Sequence, residues 1–155
     1  YYTDWNGFNI PSYILEPFYK WQFLPHSEKE EKILDLLKGT KDEFYVIWIH
    51  KDMKDISSLL THEVAHWLFF TDSNYQNDVK NILSQFNLSE IKSELRQKWG
   101  YHEEVLEDES HAYSIGSTSE LKSNIPDELH KKLLENYNKS LEKNKIKITH
   151  FKNII

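Results

Sequence analysis

The sequence predicts an α+β chain, mostly helical, with a small β-sheet whose edge strand precedes a histidine-bearing helix. Three observations carry this reading. Several stretches place apolar residues three and four positions apart between helix start and stop signals. One run, 44–49, consists of β-branched and aromatic residues at strand length. Aromatics make up 14% of the 155 residues against four Gly and four Pro, the composition of a packed chain and not of a disordered tail. One domain is expected over 1–155, with an irregular aromatic-rich arm at 1–25, a core at 44–116 and a helix followed by a further strand in 126–155.

Charge and cysteine content narrow the function classes. A net charge of -6 with no dense basic stripe argues against nucleic acid. There are no cysteines, so disulfides and thiolate metal sites are excluded and any metal must be held by His, Asp or Glu. The same absence suits a reducing compartment, and a cytoplasmic location is expected. No apolar run approaches membrane-span length, and the first residues lack the basic start and apolar centre of a signal peptide, so no membrane partner is expected.

In chain order, turn signals at Asn6-Gly7, Pro11, Pro17 and Pro25 break the arm, leaving room for a short strand near 13–15. Ser27 followed by Glu30 is a capping-box pattern, and Ile33, Leu34, Leu36 and Leu37 continue it as a helix ending at Gly39. The strand at 44–49 follows. Asp55 then caps a helix through Leu59, Leu60, Val64, Trp67 and Leu68 to about Phe70. Tyr75, Val79, Ile82, Leu83 and Phe86 mark another helix, and Ser89 opens one that Gly100 stops. A helix is expected up to Gly116, another after Pro126, and a last strand through Ile146, Ile148 and His150 that pairs with 44–49.

The chemistry concentrates in His62-Glu63-Val64-Ala65-His66. On a helix His62 and His66 project from one face, where two neutral ring nitrogens can hold one Zn²⁺, and Glu63 can serve as general base toward a zinc-bound water. These three are the only strongly polar side chains between Thr61 and Phe70. Burying them without partners costs roughly 1 to 3 kcal/mol per group, and a metal supplies the partner.

A catalytic zinc site calls for a third ligand on another element. The stretch 101–113 offers several acids and histidines, which helical phase separates. Val105, Leu106, Glu109, Ala112, Tyr113 and Gly116 share one face, and Glu103, Glu107, Ser110 and Ser114 share the other. Glu109 is the acid on the apolar stripe, and Ala112 one turn later allows close helix approach. Glu107, His111 and His102 remain alternatives.

The combination of Val46-Ile47-Trp48-Ile49, His62-Glu63-Val64-Ala65-His66 and Asp108-Glu109-Ser110-His111-Ala112-Tyr113 resembles the gluzincin type of zinc metallopeptidase over 44–116. The resemblance implies a zincin-like fold, zinc bound by His62, His66 and Glu109, and Glu63 as general base in hydrolysis of a peptide or protein substrate. The thermolysin-like N-E-x-x-S-D pattern is absent, with Asp108, Ala112 and Tyr113 in its Asn, Ser and Asp places. Tyr113, one turn beyond Glu109, is the expected oxyanion stabiliser, with His102, His130 and His150 as alternatives. The competing expectation is a catalytically inactive zincin-like metal-binding domain that serves recognition or regulation.

Overall fold

A computed structural model of the chain describes residues 7–40, 44–49, 55–116 and 118–144. It is mostly helical, with one two-stranded antiparallel sheet. Strand β1 (Gly7–Pro11) runs into a 3-10 turn (Ser12–Leu15) and a short helix α1 (Glu16–Tyr19). The strand expected near 13–15 is therefore a turn, and the strand of the arm lies before it. Two prolines account for the shift: Pro11 ends the ladder because it has no N–H to give, and Pro17 sits in the first turn of α1.

Helix α2 (Glu28–Leu37) has the predicted capping box, with the Ser27 amide donating to Glu30 Oε2 at 2.7 Å and the Glu30 amide donating to Ser27 Oγ at 3.3 Å. Strand β2 (Tyr45–Ile49) pairs with β1 in the register Gly7↔Ile49 to Pro11↔Tyr45. The arm supplies this partner. The strand expected at 146–150 lies outside the described residues.

Helix α3 (Ile56–Thr71) starts at Asp55, whose side chain accepts from the Ser58 amide at 3.0 Å. Asp72 caps α4 (Ser73–Leu83) through the Asn74 and Tyr75 amides. Helix α5 (Ser89–Trp99) ends at Gly100, whose φ of 72° is the left-handed conformation that glycine adopts freely. A 3-10 turn (Glu103–Val105) leads into α6 (Leu106–Ile115), and α7 (Asp127–Asn144) closes the described chain.

Helix α6 is the centre of this arrangement. It packs on α3 along one side and meets α4, α5 and α7 on the others. Ser110 and Ser114, which phase placed opposite the apolar stripe, are fully buried as a result. The apolar core runs through the same helices, with Ala65, Val79, Leu95, Leu106, Ala112, Leu129 and Leu133 wholly enclosed.

The backbone at Gly116, just past the end of α6, lies close against that of α3. A Cβ added there would lie 2.5 Å from the His62 amide nitrogen and 2.6 Å from the Ser58 carbonyl oxygen. Both atoms belong to backbone and cannot swing aside. Gly116→Ala is expected to cost about 1 to 3 kcal/mol of unfolding free energy, read by urea titration, because overpacking must push the two helices apart. An unchanged urea midpoint would show that the helices yield freely.

Candidate metal centre

Helix α3 delivers His62 and His66 from one face, and both rings are buried, each with 6% of its surface exposed. Their Nε2 atoms lie 3.1 Å apart. Two nitrogens about 2.0 to 2.1 Å from one tetrahedral ion are about 3.3 Å apart, so the pair is already set at a ligand spacing. Helix α6 brings Glu109 to the same point, its Oε2 3.6 Å from His66 Nε2 and 3.9 Å from His62 Nε2. That oxygen is buried and has no hydrogen-bond partner. The ligand atoms of His62, His66 and Glu109 all fall within 4.8 Å of one another, so the group can hold a metal ion.

The protonation pattern on protein charges alone fits this use. Burial and the neighbouring His66 hold His62 down at about 3, so its ring is neutral. Burial also pulls His66 down, but the hydrogen bond and charge of Asp108 outweigh it and raise His66 to about 9. Burial pushes Glu109 up to about 7. A proton on His66 Nε2, shared with the bare His62 Nε2, thus occupies the space between ligands that a cation would take.

The other candidates from 101–113 fall elsewhere. Glu107 and His102 are exposed. His111 is fully buried, with its Nε2 2.7 Å from the Tyr75 hydroxyl, so it faces the core and not the ligand cluster. His130 Nδ1 lies 2.6 Å from the Ser114 carbonyl, and His150 lies outside the described residues.

Glu63 is 5% exposed and sits one residue beyond His62. Burial raises its pKa, and its charge is felt by His66, Glu109, Tyr45 and Tyr113. Asn9 Nδ2 donates to Glu63 Oε2 at 2.6 Å, and the Tyr45 hydroxyl donates to Asn9 Oδ1 at 2.7 Å. Register explains the pairing. Asn9 is opposite Ile47, so Tyr45 is its diagonal neighbour on the same face of the sheet, the face turned to α3.

Tyr113 packs its ring edge-on against His62 with centroids 4.5 Å apart and stacks on Trp99. The Tyr101 phenol lies beside both Glu109 and Tyr113, close enough to influence the protonation of each. Burial raises the pKa of both phenols, which keeps them protonated donors. Behind the histidines, Asp108 Oδ2 accepts from His66 Nδ1 at 2.8 Å, while the Gly116 backbone lies against His62.

Sequence reasoning missed Asn9, Tyr45, Tyr101 and the contact of Asp108 with His66. Asn9 and Glu63 are 54 positions apart, and no periodicity links them. For Tyr101 a signal existed: it lies eight positions before Glu109, in the segment that leads into α6. Among the described residues no helix is long and apolar enough to cross a membrane. No family model matches the chain, and neither a curated protein nor a solved structure matches it.

Proposed function

We propose that this chain is a zinc-dependent peptidase with a zincin-like, gluzincin-type centre. The observation that carries the reading is the meeting of two buried histidine Nε2 atoms with an unpartnered buried carboxylate oxygen, next to a second carboxylate one residue along α3. Two His and one Glu form a known catalytic donor set for zinc, and the nitrogen-rich set disfavours Mg²⁺ and Ca²⁺, which take oxygen ligands. Bound zinc would supply Lewis acidity, lowering the pKa of water and polarising a substrate carbonyl.

The chain's own residues do the rest. Asn9 holds Glu63 through Oε2, leaving Oε1 to take a proton from the attacking water. As the water oxygen bonds to the carbonyl carbon and the C–N bond breaks, Glu63 returns that proton to the leaving amine. Tyr101 and Tyr113 donate to the oxygen that gains charge. An extended peptide is the fitting substrate, since β2 belongs to a sheet of two strands among the described residues and can add a backbone partner.

One observation favours a second reading. Glu63 is nearly enclosed and one of its oxygens is occupied by Asn9, as in a metal-binding module that recognises a partner without cleaving it. Metal analysis of the purified protein, with peptide-library cleavage by wild type and Glu63→Gln, separates the two. The peptidase reading expects one zinc per chain and turnover that drops about a hundredfold to ten-thousandfold in Glu63→Gln with zinc retained. Zinc without any Glu63-dependent cleavage would establish the binding module.

A further inference from the structure

Behind the candidate ligands lies a set of buried polar groups that the reaction above does not use. Tyr75 and His111 are wholly enclosed between α4 and α6, and the Tyr75 hydroxyl meets His111 Nε2 at 2.7 Å. On the other side of the imidazole, His111 Nδ1 faces Asp108 Oδ1 at 3.8 Å. Both of those atoms are buried, and neither has another hydrogen-bond partner. The remaining oxygen of Asp108 is the one that accepts from His66 Nδ1 at 2.8 Å.

When an ion takes the place of the His66 Nε2 proton, one assignment of protons suits all four residues. Asp108 is a carboxylate and accepts at both oxygens, so His66 and His111 each present Nδ1–H to it. His111 is then bare at Nε2 and accepts from the Tyr75 hydroxyl. His66 is left with its Nε2 lone pair directed at His62 and Glu109. The opposite tautomer of His111 would aim a lone pair at a carboxylate oxygen.

We propose that Asp108 is the positioning residue of the metal centre, and that the buried pair Tyr75–His111 holds Asp108 so that His66 presents Nε2 to the ion. This rests on the metal-binding part of the proposed function but not on peptidase activity. It also gives Asp108 a task that its place beside Glu109 does not reveal. Outer partners of this kind commonly tune metal affinity by about 10- to 100-fold.

Zinc affinity of the whole chain, measured by competition with a chelating dye, tests the assignment without any substrate. Asp108→Asn keeps size and can accept from only one of the two histidines, so zinc binding should weaken about 10- to 100-fold. Tyr75→Phe keeps the ring and removes only the hydroxyl, and it should weaken zinc by a smaller factor of about 3 to 10. In the cobalt-substituted protein the visible bands of Asp108→Asn should shift as the His66 ring turns, a change that general loss of packing would not produce. Zinc binding within twofold of wild type in both variants, together with loss of zinc in Glu109→Ala, would overturn the positioning role and leave the metal centre standing. A wild-type chain that takes up no zinc would overturn both.

Discussion

Glu109→Ala is expected to lower zinc affinity by roughly a thousandfold or more, while Glu107→Ala, about half a turn round α6 from Glu109 and exposed, leaves it unchanged. The size follows from the role. Glu109 is the one of the three candidate ligands that can carry a formal negative charge, and among the described residues α6 is the one helix besides α3 that contributes to the cluster. Its Oε2 has no competing hydrogen bond to give up on binding. The Tyr101 phenol beside the carboxylate favours its charged form, the form that binds a cation. Loss of the carboxylate also removes a buried acid whose pKa burial has raised, so the metal-free variant should unfold at an equal or higher temperature than metal-free wild type. Reduced zinc affinity with undiminished stability separates ligation from scaffolding. Equal loss of zinc in Glu107→Ala would assign the ligand to the wrong acid.

The same pair of helices shows how far the sequence can be read. Spacing alone placed His62 and His66 together, because four residues is a full helical turn and nothing distant is needed. Phase within α6 singled out Glu109, and local chemistry located the caps at Ser27 and Asp55 and the stop at Gly100. What phase could not supply was the environment of the rest of α6. Ser110 and Ser114 fell opposite the apolar stripe, yet other helices cover that side and both are fully buried. Asp108 lies one position off the ligand stripe, which a two-faced helix would turn away, yet its carboxylate reaches His66. Asn9 was illegible for a different reason. Its role depends on β1 pairing with β2 across 36 residues and in one register, since a one-residue slip would turn Asn9 to the opposite face. Ala112 was expected to allow close helix approach, and it is enclosed; the backbone at Gly116 also lies close against α3.

Zinc affinity should rise by roughly three to four orders of magnitude between pH 6 and pH 9, because the two groups that must lose protons titrate inside that window. The sign follows from each ligand. His62, held at about 3, is already neutral throughout and releases nothing. Glu109, raised to about 7, still carries most of its proton at pH 6 and has lost it by pH 8. His66, raised to about 9, keeps its proton until the top of the range. Zinc uptake should therefore release about two protons per ion near pH 6 and about one near pH 8, measurable by calorimetry in buffers of different ionisation heat. Stability of the metal-free chain moves the opposite way. Both folded pKa values lie above the ordinary 4.5 and 6.5, so folding retains protons that the unfolded chain has released. Glu109 contributes its stabilisation fully below pH 4.5 and loses it as pH rises through about 7. His66 contributes fully below pH 6.5 and loses its share as pH rises through about 9. The gap in melting temperature between zinc-loaded and metal-free protein should accordingly widen from pH 6 to pH 9. An affinity that changes by less than tenfold over that range would mean that His66 and Glu109 do not exchange their protons for the ion.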